Sequence, residues 1–178
     1  MLNPPLSKLR TQTVRQTESE QIVSVGMGKL VVTQEPNEIL TVVGLGSCVA
    51  VVLYDPRRRV GAMLHAMLPR HRPGASVTRF VDSGTRELIA QVEKLGVNIY
   101  RSRWYLAGGA QMLSASGFQD TFQIGDKNIE MATAMMQELG ITPIATDLGG
   151  TQGRTVRLYM ASERMTVRTA FGSERIME

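Results

Sequence analysis

Val49-Ala50-Val51-Val52-Leu53-Tyr54, then Asp55-Pro56-Arg57-Arg58, then Val60 through Met67 is the stretch that decides the fold. Two apolar runs flank a short polar turn. Asp at the first position and Pro at the second suit a type I turn, so the segment reads as a β-hairpin. Neither arm alternates apolar with polar residues. Such arms belong inside a sheet covered on both faces, because a half-exposed strand shows period-two alternation.

Upstream, alternation over 22–25, a second run from Lys29 to Thr33 and a third from Ile39 to Val43 read as strands, with Glu35-Pro36-Asn37-Glu38 as a turn. Downstream the period changes. Val81, Leu88, Val92 and Leu95 lie at helical spacing between Thr78 and Leu95, and Gly96 supplies the stop. A second helix is expected from Asp126, as N-cap, to Leu139, with its stripe on Ile129, Ala132, Met136 and Leu139 and with Gly140 closing it. Further strands are expected over 98–106, 142–147, 155–161 and 165–171. The expected fold class is a single mixed α/β domain, with β-sheets in a sandwich-like core flanked by two main helices. Residues 1–20, polar and with Pro4-Pro5, read as a flexible leader, and 21–178 as the domain.

The chain has 178 residues, 43% apolar and 20% charged, a balance that suits one globular core and excludes a disordered chain. Its net charge of +4 is spread over short groups such as Arg57-Arg58-Arg59 and Arg70-His71-Arg72, while aromatics make up only 5%. Nucleic-acid binding calls for a contiguous basic patch with stacking aromatics, so these charges read as solvated surface. No run of ~18 apolar residues is present to span a membrane, nor is there a signal-peptide core near the start. The single cysteine cannot form an internal disulfide. Together these point to a protein of the reducing cytoplasm.

That cysteine, Cys48, ends the run Gly44-Leu45-Gly46-Ser47-Cys48 and leads directly into the first arm of the hairpin. If Asp55 to Arg58 form the turn, Tyr54 pairs with Arg59 and Cys48 stands directly opposite His65 on one face. Their Cβ atoms would then be roughly 4.5–5.5 Å apart. A histidine there can take the thiol proton, and an imidazolium beside the sulfur favours thiolate. Gly46 allows a substrate close to the backbone, and free N–H groups near Ser47 and Cys48 can hold an oxyanion. The alternative is a small buried thiol beside a satisfied core histidine. With one cysteine and two histidines, no zinc site is expected.

The run from Gly44 to Val51, Tyr54-Asp55, Val60-Gly61-Ala62, His65 and Met67-Leu68-Pro69 resembles the chemoreceptor glutamine deamidases of the CheD family. The resemblance continues through Ala107-Gly108-Gly109-Ala110, Ile124-Gly125 with Asn128, and Asp147 with Gly149-Gly150 and Arg154. It implies hydrolysis of glutamine side-chain amides on the cytoplasmic helices of chemotaxis receptors, with Cys48 as nucleophile and His65 as base. No metal or organic cofactor is implied. It also tilts Gly108-Gly109 from a plain chain bend toward a lining of the substrate cleft. The rival reading is a regulatory binding module for the CheC phosphatase or for receptors. One residue departs from the family pattern: a threonine belongs six positions before the cysteine, and Val42 stands there. Thr41 could orient His65 instead if a bulge near Gly44 restores its facing. Otherwise it is an ordinary exposed strand residue.

Overall fold

The computed structural model describes residues 19–111 and 119–178. Most of the leader expected over 1–20 lies outside the described residues. Among the described residues, ten strands and two α-helices follow one another in the order β1 (Gln21–Ser24), β2 (Leu30–Thr33), β3 (Glu38–Leu45), β4 (Val49–Asp55), β5 (Val60–Ala66), α1 (Val81–Lys94), β6 (Arg103–Gly108), α2 (Gln119–Glu138), β7 (Ala145–Leu148), β8 (Arg154–Tyr159), β9 (Arg164–Thr169) and β10 (Arg175–Ile176). They build two five-stranded sheets, ordered β1-β3-β8-β9-β10 and β2-β5-β4-β6-β7.

Every residue of β4 and β5 is buried, as their unbroken apolar runs required. The two faces of β4 feed two different cores. Val49, Val51 and Leu53 join Leu64, Val81, Leu88, Val92, Ala132 and Met136, a layer between this sheet and both helices. Ala50, Val52 and Tyr54 join Leu40, Val42, Leu45, Val156 and Leu158 in the space between the two sheets. The result is three layers, helices on sheet on sheet, with β4 at the centre. Both helices lie over the same sheet.

The hairpin register differs from the sequence expectation. Asp55 pairs with Val60, and Ala50 pairs with His65. The cause is Asp55 itself, whose Oδ1 accepts the backbone N–H groups of Arg57 at 2.8 Å and Arg58 at 3.2 Å. This side-chain-capped turn leaves Asp55 in the ladder and moves the loop on to Pro56–Arg59, where Arg59 takes a left-handed φ of 52°. Cys48 is therefore not directly opposite His65. The slip is an even number of residues, so facing is preserved while the pair becomes diagonal.

Two helix boundaries also moved. The first helix begins at Val81, after a 3-10 turn over Val77–Arg79, rather than at Thr78. The second begins at Gln119, so Asp126 lies inside it and is not its N-cap; its carboxylate instead accepts Gln111 Nε2 at 2.6 Å. Gly125 is tolerated within this helix because a Cβ there would stand 2.7 Å from the Gly109 carbonyl oxygen. The helix is thereby seated directly on the bend that ends β6.

The turn can be tested by substitution. Asp55→Ala removes an acceptor of two hydrogen bonds and is expected to lower unfolding free energy by about 1–3 kcal/mol in urea titrations, whereas Asp55→Asn keeps most of it. Equal stability of Asp55→Ala and the parent would contradict the turn's role.

Candidate active site

Cys48 and His65 emerge on the inter-sheet side. Cys48 packs partly against the core between the sheets. His65, 4% exposed, shares a face of β5 with Met63, which belongs to that same core. Among the described residues no hydrogen bond joins Sγ to the ring. A diagonal pair is separated by roughly 7–8 Å, a gap that substrate binding and a rotamer change must close.

The His65 ring is held from the β1–β2 loop. Its Nδ1 lies 3.1 Å from the Val25 carbonyl oxygen. Only a donor can face a carbonyl, so Nδ1 carries the proton and Nε2 keeps its lone pair. The loop is fastened to the same residue by two backbone bonds, Gly28 N–H to the His65 carbonyl and His65 N–H to the Lys29 carbonyl. Thr41 takes a different task. Its Oγ1 donates to the Ile39 carbonyl at 3.2 Å, and its own carbonyl accepts Val25 N–H at 2.8 Å. It is 2% exposed, hence not the exposed threonine of the alternative reading. The expected bulge exists between Val42 and Leu45, but Thr41 lies between Leu40 and Val42, which both face the inter-sheet core, so its side chain is on the opposite face of β3. Val42 points into the inter-sheet core.

The loop carrying Cys48 is braced from behind. Gly109 N–H donates to the Cys48 carbonyl and Ala110 N–H to that of Gly46, both at 2.8 Å. Gly108, at φ 113°, has no room for a side chain, since a Cβ would fall 2.1 Å from the Cys48 carbonyl oxygen. Gly108 and Gly109 thus back the loop through its carbonyls. By contrast, the N–H groups of Gly46, Ser47 and Cys48 donate to no backbone carbonyl of the described residues. That of Cys48 faces its own thiol, and those of Gly46 and Ser47 have no backbone acceptor among the described residues.

Two residues quoted in the sequence only as part of the resemblance, with no site role, prove to brace the site. Asn128, fully buried on α2, donates from Nδ2 to Ser47 O at 2.9 Å and to Met67 O at 3.0 Å. It ties the residue before Cys48 to the end of the strand that bears His65. Arg154 donates from Nη1 to Gly108 O at 3.0 Å and to Asp147 O at 2.6 Å, and pairs with the Asp147 carboxylate. A buried polar side chain within a motif was the available signal, but only the tertiary contacts show its partners. Among the described residues no three His, Cys, Asp or Glu side chains converge on one point.

Burial governs the protonation of the pair. It pushes the Cys48 thiol above 9.0, against the opposing effect of its own backbone N–H. It pulls the His65 imidazole below 6.5, against the opposing effect of the Val25 carbonyl. The resting site is thus thiol beside neutral imidazole, not the thiolate–imidazolium pair expected from a direct contact. Iodoacetamide should alkylate free Cys48 with a pH midpoint displaced to the alkaline side; a midpoint near 6 would contradict the neutral pair. Thr41→Val should leave kcat within about threefold and cost about 0.5–1.5 kcal/mol of stability, since the hydroxyl serves a backbone carbonyl. A hundredfold fall in kcat at full folding would assign the orienting task to Thr41 after all.

Comparison with known proteins places this chain in a family. The family model described as CheD chemotactic sensory transduction matches residues 67–169. A probable chemoreceptor glutamine deamidase CheD of Desulfitobacterium hafniense (strain DSM 10664 / DCB-2) is 37% identical over 158 residues, 88% of this chain and 98% of that protein. Another, from Caldanaerobacter subterraneus subsp. tengcongensis, is 40% identical over 152 residues, 84% of this chain and 93% of its own. The chemoreceptor glutamine deamidase CheD of Halalkalibacterium halodurans is 37% identical over 158 residues, 86% and 97% of the two chains. Among solved structures, the Bacillus licheniformis hypothetical protein YfiH is similar at a TM-score of 0.41 and 14% identity, over 77% of this chain and 61% of that one, too slight a likeness to bear an argument. With a family model spanning more than half of its length and relatives aligned almost end to end, the chain belongs to the CheD family.

Proposed function

We propose that this protein hydrolyses glutamine side-chain amides of chemotaxis receptors in the cytoplasm, with Cys48 as nucleophile and His65 as general base. The observation that carries the residue assignment is the Val25 carbonyl on His65 Nδ1, which leaves Nε2 as a proton acceptor on the face that Cys48 shares. Among the described residues no helix is long and apolar enough to cross a membrane.

The chemistry follows from the neutral pair. Nε2 takes the thiol proton as Sγ attacks the carboxamide carbon, so charge is created only as the bond forms. The N–H groups of Gly46, Ser47 and Cys48 receive the oxyanion. When the C–N bond breaks, the imidazolium returns its proton to the leaving nitrogen and ammonia departs. Water then attacks the thioester, gives a proton to Nε2, and the released thiolate recovers it. The products are a glutamate side chain and ammonia, with the thiol regenerated.

A second reading is favoured by the protonated resting thiol: the protein would serve chiefly as a regulatory binding module for the CheC phosphatase or for receptors, with chemistry secondary or lost. Binding that persists undiminished in Cys48→Ala, with no deamidation by the parent, supports this alternative.

Intact-mass analysis of a purified receptor cytoplasmic fragment tests the catalytic reading. The parent protein should add one mass unit per converted glutamine and release equimolar ammonia, and Cys48→Ala should do neither. Conversion by Cys48→Ala at the parent's rate would falsify the assignment. Because the base works as neutral imidazole and burial lowers its pKa, the acid limb of kcat/KM should have its midpoint below 6.5.

A further inference from the structure

Two adjoining clefts lie beside the candidate active site. Pro69, Arg70, Lys127, Glu130, Met131 and Ala134 line one, and Leu68, Pro69, Arg70, His71, Arg72, Ile124 and Lys127 line the other. Pro69, Arg70 and Lys127 are shared, so the two form one continuous groove between the segment after β5 and the outer side of α2. Its position relative to the site is set by Asn128. That residue's amide holds Ser47 O and Met67 O, and the groove starts one residue further along each wall, at Lys127 and at Leu68. One residue is a Cα step of about 3.8 Å. The groove therefore begins where the loop carrying Cys48 is fastened.

The groove is basic. Arg70, Arg72 and Lys127 are exposed, and among the described residues none of them forms an ion pair. No acidic group of the described residues is in ion-pair contact with them. Asp82 is occupied with the backbone N–H groups of His71 and Ser83, and Glu130 is the one carboxylate on the lining. His71 is fixed rather than available, with Nε2 3.2 Å from the Ala75 carbonyl and its ring edge-on to Phe80 at 5.3 Å. Three unpaired cations on a concave wall make a field that focuses an anionic chain.

We infer that this groove binds an acidic segment of the protein substrate next to the glutamine being hydrolysed. The inference rests on the proposed deamidase reading. Chemistry favours an acidic occupant over a neutral one: each turnover converts an amide into a carboxylate, so a substrate with several modifiable glutamines grows more acidic around those still unreacted. A basic groove beside the nucleophile keeps such a partly modified segment bound. The three cations act on affinity and hold no reacting atom.

The test uses the full chain and a purified receptor cytoplasmic fragment. The charge reversals Arg70→Glu, Arg72→Glu and Lys127→Glu are made together. A control triple, Arg101→Glu, Arg164→Glu and Arg168→Glu, changes net charge equally at exposed positions outside the groove lining. The groove variant should raise KM at least tenfold while kcat, melting temperature and the rate of Cys48 alkylation by iodoacetamide stay at parent values. KM of the parent should rise with salt, and that dependence should shrink in the groove variant. An unchanged KM, or an equal rise in the control triple, would overturn the inference while leaving deamidation intact. Absence of deamidation by the parent protein would instead remove the functional reading on which it stands.

Discussion

The structure depends on one strand that has no exposed face. β4 is hydrogen-bonded to β5 on one edge and to β6 on the other, and its side chains enter a different core on each side. Burial of a strand on both faces fixes its register strongly, because any odd slip would exchange two cores of different shape. Cys48, the proposed nucleophile, precedes this strand, His65, the proposed base, sits on one neighbour, and the glycines that brace the loop of Cys48 end the other. The relative positions of all three follow from one ladder.

Around that ladder, backbone groups do most of the positioning. The imidazole is oriented by the Val25 carbonyl, and the loop carrying Cys48 by Gly109 N–H, Ala110 N–H and the Asn128 amide. A carbonyl in place of a hydroxyl explains how His65 can be oriented while Val42 faces an apolar core. Backbone acceptors cannot be removed by substitution, so a fold that supplies one tolerates change at the side chain it replaces. Thr41 contributes at one remove, since its carbonyl holds the N–H of Val25.

The electrostatics have a consequence for chemistry. Burial penalises both charged forms, so the pair rests neutral and ionises as bond formation begins. A thiol kept protonated is less exposed to adventitious oxidation and alkylation than a standing thiolate. In the proposed mechanism, activation waits for a substrate that closes the distance between Sγ and Nε2. A substrate segment held in the basic groove, as inferred, would supply binding free energy for that closure.

The sequence by itself determined the layer plan and named the candidate pair, Cys48 and His65. Unbroken apolar runs over Val49–Leu53 and Val60–Leu64 imply burial on both faces, and the single cysteine beside a glycine turn marks the loop to inspect. The facing of Cys48 and His65 was legible too, since it depends only on parity. What sequence could not decide was the register, because Asp55 caps the turn with its side chain and moves the loop by one residue. Nor could it find Val25 or the partners of Asn128. Those contacts join residues 40 to 81 positions apart, and nothing local in either segment encodes them. Residue type already leaves a thiol protonated and most of an imidazole neutral near pH 7, and burial, which only the tertiary structure supplies, pushes both further that way.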